Sequence, residues 1–148
     1  MEKYLKYIIP IGIGIIVLLF LKRFTFKGKM RRLRASTKQE KKVIATTVYA
    51  SEYFKPGFYK IVDRAKVFNI DTAETLVKRL RKGMKGLGTK ESEIFGVFSQ
   101  VRFKTQVSQL ADIFYMKYKR DLATDLVKEL TRKELHSLYS MLDQLPLR

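Results

Sequence analysis

The chain has no cysteine, no tryptophan and a single histidine, His136, and these absences exclude much of the usual site chemistry. Without thiols there are no disulfide staples, no thiolate zinc sites and no cysteine nucleophile, and one imidazole cannot supply a His-pair metal centre. A metal site here would be built from oxygens, which selects hard cations such as calcium over zinc. Acidic residues are also scarce: 14 Asp and Glu stand against 31 Lys and Arg, a formal net charge of +17. A surplus of that size attracts anionic lipid headgroups or nucleic acid through the same long-range, salt-sensitive field. No phosphate-cradling P-loop is present, and no set of nucleophile, base and acid can be named, so the sequence reads as non-enzymatic. His136 reads as a surface or partly packed helix residue, because no nucleophile pattern accompanies it.

One stretch lacks charge altogether. Tyr7 to Leu21 runs fifteen uncharged residues between Lys6 and Lys22. As a helix it would span about 22 Å, short of a hydrocarbon core of roughly 30 Å, a gap that snorkelling lysines and a thin membrane could close. Tyr4, Tyr7, Phe24 and Phe26 stand where interfacial aromatic belts occur, and Pro10 falls in the first turn. Lys22, Arg23, Lys27, Lys29, Arg31, Arg32 and Arg34 follow at once, a stop-transfer pattern rather than a signal-peptidase site. The expectation is a single-pass transmembrane anchor over 1–23, with the C-terminal domain on the cytoplasmic or particle-interior side by the positive-inside rule.

The other 125 or so residues suffice for one small domain, roughly the common size. Residues 24–42 read as a basic juxtamembrane segment, 43–70 as linking and covering helices, and 71–148 as the main domain. Ile44, Val48, Tyr49 and Tyr53 predict a helix from Val43, stopped by Lys55-Pro56-Gly57. Phe58, Ile61, Val62, Ala65 and Phe68 predict a second. Asp71-Thr72-Ala73-Glu74 reads as a capping-box start for a helix that buries Ala73, Leu76, Val77, Leu80 and Met84 and exposes Lys78, Arg79, Arg81 and Lys82. Gly83 ends it, and Thr89 is the expected cap of a helix holding Ile94, Phe95, Val97 and Phe98. Helices over about Lys104–Lys119, Leu122–Leu130 and Thr131–Leu142 complete an all-α domain. The aromatics Phe95, Phe98, Phe103, Phe114, Tyr115, Tyr118 and Tyr139 read as core and edge rather than base-stacking platforms.

Met84-Lys85-Gly86-Leu87-Gly88-Thr89 sits between the first and second of five helices, and it resembles the calcium loop of an annexin repeat. Asp71-Thr72-Ala73-Glu74-Thr75-Leu76, Arg102 with Gln106, Arg120-Asp121-Leu122, Asp125-Leu126 and Glu129-Leu130-Thr131 are similar to other spaced parts of that repeat. About seventy residues are covered. The resemblance implies calcium held by the backbone carbonyls of Met84, Gly86 and Gly88 with the Glu129 carboxylate, a minor site at the Thr89 carbonyl and Glu91, and water or a lipid phosphate completing the main site. Glycines permit the positive φ that lets successive carbonyls converge on one cation. Two departures stand out. Thirty-nine residues lie between Thr89 and Glu129, one more than the family's usual spacing, and Lys90 occupies a place where an acidic residue is common. A lysine there opposes cation binding by like-charge repulsion.

The combined expectation is a membrane-anchored tethering protein whose domain contacts anionic phospholipid, aided by calcium. Its lipid-binding residues would be Lys22, Arg23, Lys27, Lys29, Arg31, Arg32, Arg34 and Lys85. The alternative is a structural component of a lipid-containing virus particle, whose basic domain meets nucleic acid or a capsid shell. One repeat alone leaves a face to cover, either by the helices of 43–68 or by a second copy in a homo-oligomer or larger assembly.

Overall fold

The computed structural model describes residues 37–85 and 90–148. By contacts the chain divides into two units, Met1–Gln39 and Glu40–Arg148, and the repeat lies in the second. The expected membrane span and the basic residues Lys22 to Arg34 lie outside the described residues. No described helix is long and apolar enough to cross a membrane.

Regular structure among the described residues is helical throughout. A first helix, α1, covers 37–50, and two 3₁₀ turns follow at Glu52–Phe54 and Phe58–Lys60. Five helices then come in close succession: α2 (Ile70–Gly83), α3 (Glu91–Phe98), α4 (Lys104–Tyr118), α5 (Leu122–Glu129) and α6 (Arg132–Asp143). Their starts are set by side-chain caps. Asn69 accepts from the Asp71 N–H, Asp121 from that of Thr124, and Thr131 and Glu134 form a reciprocal capping box. Connections this short leave each helix little choice but to pack on its neighbours.

Helix α4 is the centre of the domain. It packs against α2, α5 and both 3₁₀ turns, and every residue from Thr105 to Phe114 is buried. One side is apolar, with Val107, Leu110, Ala111 and Phe114 joining Leu80, Ile94, Phe98, Leu122 and Leu126 in one core. The other side is polar, and its groups are satisfied by the chain that precedes α2. Gln109 is hydrogen-bonded to both backbone groups of Phe68, accepting from N at 2.7 Å and donating to O at 2.9 Å. The Thr105 hydroxyl donates to Lys66 O at 2.7 Å, and that of Ser108 to Lys55 O at 2.7 Å. Asp112 accepts from the Tyr59 hydroxyl and pairs with Lys60 at 2.7 Å. Buried polar groups remain stable only when paired in this way. At the start of α4, the N–H groups of Lys104 and Thr105 donate to Pro146 O and Leu147 O, so the C-terminal residues supply acceptors that the helix itself lacks.

The segment before α2 contributes to the core of the repeat. Ala45, Val48, Tyr53 and Phe54 are buried, and all but Ala45 belong to the main core cluster. Its detail departs from the sequence reading. The helix assigned from Val43 is already formed at residue 37 and stops at 50, where the Ser51 hydroxyl donates to the Thr47 carbonyl at 2.9 Å. Tyr49 is 47% exposed, because Ala45 and Val48 supply the buried face. No helix forms over Phe58–Phe68 beyond one 3₁₀ turn, and Ile61 is 81% exposed. Arg64 has φ 52°, outside the helical region, and the polar side of α4 holds Lys66 and Phe68 in non-helical backbone. The cap of α2 is Asn69 rather than Asp71, and of its four expected surface cations Lys78 and Lys82 are exposed while Arg79 and Arg81 are half-buried.

Candidate calcium and lipid site

Helix α2 ends at Gly83 because the chain must turn directly into α3. The Lys90 N–H donates to Gly83 O at 2.9 Å, joining the two ends of the connection. A Cβ on Gly83 would stand 3.2 Å from both Glu93 Cβ and Ile94 Cγ1, so glycine is what permits this approach. Met84 caps α2, with its side chain buried and its N–H donating to Leu80 O at 3.1 Å; Lys85 is exposed. Gly86, Leu87, Gly88 and Thr89 lie outside the described residues. The residue before α3 is Lys90, which makes no side-chain cap, and Glu91 is exposed in the first turn.

Of the ligands that the resemblance implies, the Met84 carbonyl and the Glu129 carboxylate fall within the described residues. They stand at the C-terminal ends of α2 and α5, and one ionic contact joins these helices about a turn in from each end. Arg81 of α2 lies 3.9 Å from Asp125 of α5. Asp125 is 3% exposed and is held by Arg120 through two hydrogen bonds of 2.6 and 2.7 Å. The guanidinium of Arg81 also rests over the Tyr118 ring, 5.7 Å from its centroid. Charge-assisted, bidentate pairing of this kind satisfies a carboxylate whose burial would otherwise leave it without partners. Arg120 is pushed above its ordinary pKa by its hydrogen bond to Asp125, then by that residue's charge, and to a lesser degree by the charge of Glu129. Glu129 therefore sits in the field of Arg120, which competes with any cation for that carboxylate.

Sequence reasoning finds Asp125 in a familiar motif without giving it a role. Its signal is legible all the same, since a carboxylate between Leu122 and Leu126 on an apolar face needs a buried partner. Glu93, which the sequence reading does not single out, accepts from Arg79 at 3.3 and 3.2 Å and ties α3 to α2. No group of three His, Asp or Glu side chains that could hold a metal occurs among the described residues.

Five short helices with such a connection between the first and second fit an annexin-like repeat. A segment of 54 residues is 44% identical to annexin A5 of Rattus norvegicus, which amounts to 36% of this chain and 17% of that protein. The chain thus matches only a small part of that relative's length. No protein-family model matches the chain, and no solved structure does.

Proposed function

We propose that this protein is a membrane-anchored, non-enzymatic tether, whose basic annexin-like domain rests on anionic phospholipid with calcium assisting at the α2–α3 connection. The 54-residue similarity to annexin A5 is the observation that carries the reading, and the net charge of +17 supports an anionic partner. Tyr7 to Leu21 would insert in the bilayer, and the basic run from Lys22 to Arg34 would meet its headgroups. The carbonyls of Met84, Gly86 and Gly88 with Glu129 would hold the calcium, and Thr89 with Glu91 a minor ion. Bound calcium supplies a positive bridge between these oxygens and lipid phosphate.

The test uses the full chain. Carbonate extraction of membranes should leave it in the pellet, and recovery in the aqueous fraction contradicts the anchor. In vesicles containing phosphatidylserine, calcium should protect the domain from protease, and Glu129→Gln should remove that protection. Protection that is indifferent to both calcium and Glu129→Gln contradicts the calcium site.

A further inference from the structure

The cations around the α2–α3 connection differ in what they face. Arg79 is taken up by Glu93 and Arg81 by Asp125. Of the two carboxylates on α2, Glu74 is taken up by Lys117 of α4 at 3.0 Å and lies one turn before Lys78, and Asp71 stands at the start of the helix. With those acids engaged, Lys78, Lys82, Lys85 and Lys90 are exposed and lie within ion-pair distance of no carboxylate among the described residues. Lys78 and Lys82 are one turn apart on the same face of α2, Lys85 follows its C-cap, and Lys90 is drawn in by its bond to Gly83. Glu91 is the one exposed acid beside them among the described residues. The helix dipole favours Lys82 at a C-terminus, but Lys85 and Lys90 stand outside helices, and Lys90 sits at the N-terminal end of α3, where the dipole opposes a cation. Four like charges gathered on one end raise the energy of the free domain and lower it against an anionic surface.

We infer that this end of the domain docks on anionic bilayers without calcium, through Lys78, Lys82, Lys85 and Lys90. The inference rests on the proposed lipid contact and replaces its calcium bridge, at least in part, with lysine. A bilayer suits the arrangement better than a compact ligand, because the four residues line an exposed helix face and its end rather than a pocket. Each lysine brought to a surface of anionic lipid favours docking by roughly fivefold. The contact is screened over about 8 Å at physiological salt, so it weakens as salt rises.

The experiment exploits the absence of cysteine. Ser92, exposed in the first turn of α3, is changed to Cys in the full chain and labelled with a fluorophore. The protein is reconstituted in vesicles carrying a headgroup quencher, with a calcium chelator present. Quenching is expected in phosphatidylserine–phosphatidylcholine vesicles and not in phosphatidylcholine alone. K85Q/K90Q should reduce the ratio of docked to undocked domain by at least about tenfold, and K78Q/K82Q similarly, with helix content by circular dichroism unchanged. Quenching that needs calcium and ignores the lysine variants overturns this inference and leaves the calcium reading standing. Quenching under neither condition overturns both. Lysine variants that lose binding to a labelled oligonucleotide but keep the vesicle signal overturn it in favour of a nucleic-acid face.

Discussion

Asp125 shows how a single side chain can fix the geometry of this domain. It is enclosed by Arg120 and Arg81, which brings the end of α2 to α5. Replacing it with Asn removes the charge and turns one of the two acceptor oxygens facing the guanidinium groups into a donor, so Asp125→Asn should lower the melting temperature more than Glu74→Gln does. Equal effects in thermal unfolding would show that the buried pair contributes no more than a surface one. Glu74 itself offers a pH test. Its hydrogen bond from Lys117, and then the charge of that lysine, hold its carboxyl below the ordinary pKa. The folded state therefore binds fewer protons than the unfolded one, and the contribution is present above the ordinary carboxylate pKa and lost as pH falls through the folded value. Lys117→Met should flatten stability against pH across that acid range, and an unchanged profile would contradict the pairing.

Among the elements, α4 decides most. Leu110 is fully buried, and Leu110→Ala should cost about 2–5 kcal/mol in denaturant unfolding, as large-to-small core changes do. Its polar side makes a separate prediction. Gln109→Ala leaves both the N–H and the carbonyl of Phe68 without a partner, at a cost of about 1–3 kcal/mol. Hydrogen exchange at Phe68 should accelerate far more than exchange within α2, whereas uniform acceleration would mean that the segment before α2 is not held locally.

That polar side also marks where the sequence stops being legible. The repeat reads well because its signals are local: apolar spacing points to α2, α4, α5 and α6, and Asp121 and the Thr131–Glu134 box mark two starts directly. The segment over Phe58–Phe68 misleads because its spacing is helical while its partners are distant. Thr105, Ser108, Gln109 and Asp112 lie 39 to 53 positions further along, and nothing near Phe58 announces them. The same distance conceals the second partner of Asp125, Arg81 from another helix, although its need for a buried partner is legible. The candidate site is legible as a motif, through Met84-Lys85-Gly86-Leu87-Gly88-Thr89 and Glu129. Which cations remain unpaired around it emerges only once the acids that hold the others are placed in space.

At the scale of the whole molecule, the proposed work is divided between an apolar stretch that inserts and a basic domain that lies on the surface. Val48, Tyr53 and Phe54, which precede the repeat, belong to its core cluster. Amide hydrogen exchange on the full chain, in vesicles with and without phosphatidylserine, tests that arrangement most directly. Slower exchange confined to the end of α2 and the start of α3 on adding the anionic lipid is the predicted result. Slowing instead along α1 and α6, or none anywhere in Glu40–Arg148, would contradict it.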